Sequence, residues 1–94
     1  MINLDDKSLA NFISDNEVCM VMFGATWCGP CKLLKPKVAE LGLSNVAYAD
    51  IQTCKSEAMS AGIMSVPTLV VYRGGKEVAR AHRLTEEILS EVRS

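Results

Sequence analysis

Residues 27–32 read Trp27-Cys28-Gly29-Pro30-Cys31-Lys32. The two cysteines stand three positions apart, after an apolar run over residues 18–23 and before a helical pattern over residues 31–41. This order predicts a dithiol at the point where a strand ends and a helix begins. A helix N-terminus carries unpaired N–H groups and a partial positive charge, and both favour a thiolate over a thiol. Because the thiolate is the form that attacks a disulfide, the stretch predicts thiol redox chemistry.

The whole chain has the size and composition of one folded domain, over residues 1–94. It is 49% hydrophobic and 22% charged, with a net charge of −1, which is typical of a folded soluble protein. Its basic residues are scattered, so we expect no nucleic-acid partner. The apolar runs over residues 18–23 and 66–72 are too short to span a membrane, so we expect no membrane partner. Residues 1–6 lack the pattern of a signal peptide, so we expect a cytoplasmic protein, in which a Cys-x-x-Cys pair is catalytic more often than structural.

The order of predicted elements indicates the fold class. Helical spacing, continuous apolar runs and turn residues predict nine elements. The first half of the chain is predicted to form a short strand, a helix from the N-cap Asp5 to Asn16, a strand over 18–23, and a helix over 31–41 that is kinked at Pro36. The second half is predicted to form a strand over 46–49, a helix over 55–61, two hairpin strands over 68–72 and 76–80 that turn at Gly74-Gly75, and a last helix capped by Thr85. Helices and strands that alternate and then end in a hairpin predict an α/β fold. We expect a mixed sheet, parallel first and antiparallel at the end, with helices on both faces.

The motifs resemble those of the thioredoxin family along essentially the whole chain. The resemblance is carried by Phe23-x-Ala25-x-Trp27-Cys28-Gly29-Pro30-Cys31-Lys32, by the kink proline Pro36, by Val66-Pro67-Thr68, which is similar to the family's cis-proline loop, and by the hairpin turn Gly74-Gly75. It implies a thioredoxin fold, with a central sheet of four to five strands flanked by four helices. It also implies a protein-disulfide reductase that binds no cofactor, uses a redox-active Cys28–Cys31 disulfide and is recharged by a thioredoxin reductase or an equivalent enzyme.

The resemblance assigns a role to each part of the site. Cys28, at the exposed end of the helix, is expected to attack a substrate disulfide, and Cys31 is expected to resolve the mixed disulfide. Residues three apart lie on one helix face, so the second sulfur can reach the first. The expected substrate-binding residues are Trp27, Gly29, Pro30, Ser65, Val66, a cis Pro67 and His82. We expect a monomer whose partners are disulfide-containing proteins.

The chain departs from the family pattern at several positions near the dithiol. Met22 stands where the family has a buried Asp, and Tyr48 stands where it has the matching Lys. We therefore expect a higher pKa for Cys31 and slower resolution. Gly24 stands where a second aromatic residue is common, Ser65 where Gly is common, and His82 where a loop Gly is common. These three changes predict an altered choice of partners, including the reductase.

Other functions and other roles are compatible with the sequence. The dithiol could serve a thiol oxidant or an isomerase, or the protein could be a binding subunit that holds one partner. A zinc site needs four ligands, and the further candidates are Cys19, Cys54 and His82, so we expect no metal. We expect Cys19 to pack in the core and Cys54 to be exposed at the start of a short helix. The methionines expected to fill the core are Met20, Met22, Met59 and Met64.

Overall fold

Five strands and four helices alternate along residues 1–93, the part of the chain that the computed structural model describes. They are β1 (Ile2–Leu4), α1 (Asp6–Asp15), β2 (Val18–Gly24), α2 (Gly29–Ala39), β3 (Val46–Asp50), α3 (Lys55–Ser60), β4 (Thr68–Arg73), β5 (Lys76–Ala81) and α4 (Glu86–Arg93). Within residues 1–93, no helix combines the length and the apolar character needed to cross a membrane. The predicted order of elements is confirmed, including the short first strand.

The sheet is mixed, as predicted, and its strands lie in the order β1-β3-β2-β4-β5. The strands β1, β3 and β2 are parallel, whereas β4 runs antiparallel to β2, and β5 runs antiparallel to β4. The hairpin between β4 and β5 turns at Gly74 and Gly75, whose φ values are 59° and 81°. Two consecutive residues with positive φ suit the tight turn that matches the twist of paired strands. In this order β2 is the central strand, with β3 on one side and β4 on the other. The loop after β2 leads directly to the dithiol.

Two apolar cores lie on opposite faces of this sheet, because side chains alternate along each strand. The dithiol-side core contains Met20 and Met22 of β2, together with buried residues of α2 and α4. The opposite core contains Val21 and Phe23 of β2, together with buried residues of α1 and α3. Both helical layers are thus present, as the sequence predicts.

The helix termini follow the predicted caps, with one difference at α2. Asp5 Oδ1 accepts a hydrogen bond from the Ser8 N–H at 2.9 Å, and Thr85 Oγ1 accepts one from the Ile88 N–H at 3.1 Å. The α2 helix begins and ends two residues earlier than the predicted range 31–41. It begins earlier because the first turn accepts Pro30, which needs no hydrogen-bond partner for its nitrogen.

Three sequence-based expectations about burial are wrong. Met59 and Met64 are 82% and 94% exposed, so they do not fill the core. Met59 follows the buried Ala58 on α3 and therefore points away from the sheet, and Met64 lies in the segment before β4. Cys54 is fully buried instead of exposed, because α3 starts beside β1 and the Cys54 thiol donates to the Leu4 carbonyl at 3.0 Å.

Candidate active site

The dithiol lies where the sequence predicts, between the end of β2 and the first turn of α2. Cys28 and Cys31 form a disulfide, and their Cα atoms are 5.3 Å apart. Cys28 is the N-cap of α2, and its Sγ accepts the backbone N–H of Cys31 at 3.2 Å. The same N–H can stabilise negative charge on Cys28 after reduction, as can the positive end of the helix dipole.

Cys28 itself is covered, although it lies at an exposed end of the helix. In the disulfide form this residue is only 4% exposed. Its Sγ lies 3.7 Å from the Val66 carbonyl oxygen, and its backbone N–H donates to the Ala25 carbonyl at 3.2 Å. Trp27, in contrast, is 65% exposed, and Gly29 is exposed as well. The surface next to the buried Cys28 sulfur therefore consists of the Trp27 ring and the backbone at the start of α2, and these groups are accessible to a partner protein.

The segment before β4 forms the second wall of the site. The Val66–Pro67 peptide bond is cis, as the resemblance implies. Pro67 is buried, Val66 is half-buried and Ser65 is exposed. Because the Val66 carbonyl lies against Cys28 Sγ, this loop brings main-chain polar groups to the reacting sulfur. Pro30 is not part of this loop; it lies between the two cysteines, in the first turn of α2, and is exposed.

His82 contacts this loop from the end of β5. Its Nδ1 is 3.0 Å from the Pro67 carbonyl oxygen and 3.3 Å from Thr68 Oγ1. A carbonyl oxygen can only accept, so Nδ1 carries the proton. The Thr68 hydroxyl donates in turn to the Ser65 carbonyl at 2.7 Å. His82 is thus joined to the cis-proline loop, and Thr68 is a site residue that the sequence analysis missed. The sequence feature that could have indicated a role for Thr68 was its polar side chain at the start of an otherwise apolar strand.

A cleft of about 260 Å³ opens beside Cys31. Its lining residues are Ala25, Thr26, Cys31, Lys32, Lys35 and Tyr48. The Tyr48 ring covers Gly24, where an added Cβ would lie 2.8 Å from both Cε1 and Oη of the ring. The glycine therefore makes room for the tyrosine, and these two departures from the family pattern belong to one arrangement.

Lys35, to which the sequence analysis gave no role, brings a positive charge to this cleft. Lys35 Nζ lies 3.8 Å from the centroid of the Tyr48 ring. Burial raises the pKa of Tyr48, and the nearby Asp50 carboxylate raises it further, so the phenol is neutral at physiological pH. Met22 pairs with Tyr48 across β2 and β3 and is fully buried, so it presents no acid to Cys31. The sequence feature that could have indicated a role for Lys35 was its position four residues after Cys31, on the same face of the predicted helix.

The two remaining cysteines lie in the opposite core. Cys19 is fully buried, as predicted, and burial raises its pKa to about 11. Burial likewise raises the pKa of Cys54. The sheet separates both from the dithiol, so they cannot complete a zinc site with it. Among residues 1–93, no three or more His, Cys, Asp or Glu side chains form a group that could hold a metal ion.

Comparison with known proteins agrees with this geometry. The model of the family described as Thioredoxin matches residues 1–93. Thioredoxin-2 of Saccharomyces cerevisiae is 39% identical over 79 residues, which cover 80% of this chain and 73% of that protein. The bifunctional thioredoxin reductase/thioredoxin of Mycobacterium leprae is 35% identical over 81 residues, covering 81% of this chain but 18% of that longer protein.

Solved structures give the same result for the fold. The structure of Fasciola hepatica thioredoxin superposes with a TM-score of 0.82 at 32% identity, covering 97% of this chain and 94% of that one. The matching family model, the relatives, the cis-proline loop and the Cys28–Cys31 pair agree with one another. The chain therefore belongs to the thioredoxin family and is a thiol-disulfide oxidoreductase.

Proposed function

We propose that this protein reduces disulfide bonds in other proteins, with Cys28 as the nucleophile and Cys31 as the resolving thiol. The observation that carries the proposal is the Cys31 N–H, which lies 3.2 Å from Cys28 Sγ at the start of α2. That hydrogen bond and the helix dipole make Cys28 the better thiolate of the two. Gly29 and Pro30 between the cysteines are the version of the motif that the family uses for reduction.

The reaction uses two exchanges in which bonds and electrons balance. The Cys28 thiolate attacks one sulfur of the substrate disulfide, and the other substrate sulfur leaves as a thiolate that takes a proton from water. The Cys31 thiolate then attacks Cys28 Sγ, forms the Cys28–Cys31 bond and releases the second substrate sulfur. The protein is oxidised by two electrons, and the substrate is reduced by two. A reductase must return these electrons before the next turnover.

Substrate binding follows from the surfaces on either side of the dithiol. We propose that an extended substrate segment pairs with the backbone of Val66 and contacts the exposed Trp27 ring, because main-chain pairing is tolerant of sequence. The remaining residues proposed to contact the substrate are Gly29, Pro30, Ser65, Pro67 and His82. This tolerance suits an enzyme that acts on many protein disulfides.

The proposed partner for recharging is a thioredoxin reductase or an enzyme of equivalent activity. One relative carries both activities in its name, and the family normally works with such a reductase. We further propose that the protein is a cytoplasmic monomer with no bound cofactor. The two free thiols, Cys19 and Cys54, suit a compartment in which thiols stay reduced.

Reduction of insulin disulfides, with NADPH and a panel of thioredoxin reductases, tests the proposal. We expect turnover with at least one reductase and a Cys28–Cys31 reduction potential of about −270 mV, which is typical of a disulfide reductant. A potential of about −120 mV would instead identify a thiol oxidant. Absence of insulin reduction even with dithiothreitol as the electron source would contradict the proposed function.

His82 provides a prediction about substrate binding. We expect His82→Gly to raise KM for insulin about three- to tenfold, because the loop that pairs with substrate loses its hydrogen bond from Nδ1. Reduction of a small aromatic disulfide, which needs no extended pairing, should be unchanged. Arg83→Gly is the matched control, since this exposed neighbour makes no contact with the loop in the hydrogen bonds of residues 1–93. Equal effects on both disulfides would mean that His82 does not act through substrate binding.

A further inference from the structure

The resolving step needs Cys31 as a thiolate, and Cys31 is a buried residue that, unlike Cys28, is not the N-cap of α2. It is 3% exposed and packs in the dithiol-side core. An apolar environment raises the pKa of a thiol because it disfavours the charged form. Met22, at the end of the neighbouring strand, adds to that apolar environment. The negative charge on the Cys31 thiolate therefore needs a nearby group that stabilises it.

Lys35 is placed to do so. It lies four residues after Cys31 on α2, so the two side chains lie on one face of the helix. Both residues line the cleft of about 260 Å³. Within residues 1–93, Lys35 forms no salt bridge with a carboxylate. Its ammonium is held instead over the face of the Tyr48 ring, 3.8 Å from the centroid, which restricts a side chain that is otherwise flexible.

The other charged groups around the cleft are few. Lys32, on the first turns of α2, also lines it, but this side chain is exposed. Asp50, at the end of β3, acts electrostatically on Tyr48. On β2 the facing residue is the uncharged Met22. Lys35 is therefore the half-buried cation on the Cys31 face of the helix.

We propose that Lys35, held by the Tyr48 ring, is a positioning residue that stabilises the Cys31 thiolate for the resolving step. This inference rests on the proposed function. When the mixed disulfide forms, Cys31 loses its proton to water in the cleft, and the ammonium of Lys35 balances the resulting negative charge. The thiolate then attacks Cys28 Sγ, forming the Cys28–Cys31 bond and expelling the substrate thiolate.

The test measures the pKa of Cys31 directly. In a Cys28→Ser background, the rate of Cys31 alkylation by iodoacetamide is followed by mass spectrometry as a function of pH. We expect Lys35→Gln to raise the midpoint by about half to one pH unit, which reduces the rate near pH 7 about three- to tenfold. Lys35→Arg should keep the original midpoint, because guanidinium also stacks on an aromatic face.

Matched variants separate this effect from a change in net charge or in structure. Lys37→Gln removes the same charge from an exposed position on the same helix, outside the cleft, and should leave the midpoint unchanged. Tyr48→Phe keeps the ring and should behave as the parent, whereas Tyr48→Leu should shift the midpoint as Lys35→Gln does. An unchanged midpoint in Lys35→Gln, or an equal shift in Lys37→Gln, would overturn the inference. If the parent protein reduces insulin while Lys35→Gln shows no shift, the proposed function stands and this inference alone fails.

Discussion

Cys28→Ser will abolish the reduction of protein disulfides, with a loss of about three orders of magnitude or more. The serine hydroxyl is not ionised near neutral pH, and the Cys31 N–H and helix dipole cannot make it a comparable nucleophile. Cys31 remains as a thiol, but it lacks the position of Cys28 as the N-cap of α2 and packs in the dithiol-side core. The measurement is insulin reduction with dithiothreitol, which does not depend on finding the natural reductase.

Cys31→Ser is the matched control because it removes the other sulfur and keeps the nucleophile. We expect this variant to attack a substrate disulfide once and then stop, as a stable mixed disulfide at Cys28. Mass spectrometry should therefore find one covalent adduct per chain with Cys31→Ser and none with Cys28→Ser. An adduct at Cys31 in the Cys28→Ser protein would reverse the proposed roles.

Between pH 9 and 12 the oxidised protein will lose much of its stability. Burial raises the pKa of Cys19 from 9.0 to about 11. Burial, with the charge of Glu77 as a smaller cause, raises the pKa of Tyr72 from 10.0 to about 12. Each group binds its proton more tightly in the folded state than in the unfolded state. The resulting stability is present below the unfolded pKa and is lost as the pH rises through the folded pKa.

The expected loss is about 2–3 kcal/mol for each of the two groups. Together they amount to a large part of the stability of a typical domain. The measurement is urea unfolding of the disulfide form at a series of pH values, because in that form Cys28 and Cys31 do not titrate. Cys19→Ala should reduce the fall that begins near about pH 9, and Tyr72→Phe should reduce the fall above about pH 10. Parallel curves for the parent and both variants would show that these buried groups are not responsible.

Sequence patterns predicted the parts of the fold that depend on local physics. The apolar run of β2, the caps Asp5 and Thr85 and the paired glycines of the hairpin all fix structure through neighbours in the chain. The cis bond before Pro67 followed from family resemblance and is confirmed. The predicted bounds of α2 were two residues too late, since its first turn depends on how Pro30 and the Cys28 cap fit together.

The site was predicted where its residues form a sequence motif. The motif predicted Cys28 and Cys31, and the family resemblance added the loop around Pro67. No motif indicated roles for Lys35 and Thr68, which contact the site only in the folded structure. Gly24 is a further example: its lack of a side chain has a purpose only because Tyr48, on the neighbouring strand, covers it. The burial of Cys54 was missed for the same reason, since its cover is Leu4 of β1, fifty positions earlier in the chain.

The sheet that separates the two cores also prevents the formation of wrong disulfides within the chain during catalysis. In the mixed-disulfide state, Cys28 can be captured by any thiol that reaches it. Cys31 reaches it from the same core, whereas Cys19 and Cys54 lie on the far side of β2 and β3. Mispairing of Cys28 with Cys19 or Cys54 therefore requires the sheet to open. Conditions that destabilise the fold will consequently shorten the working life of the enzyme by disulfide scrambling before they unfold most of the molecules.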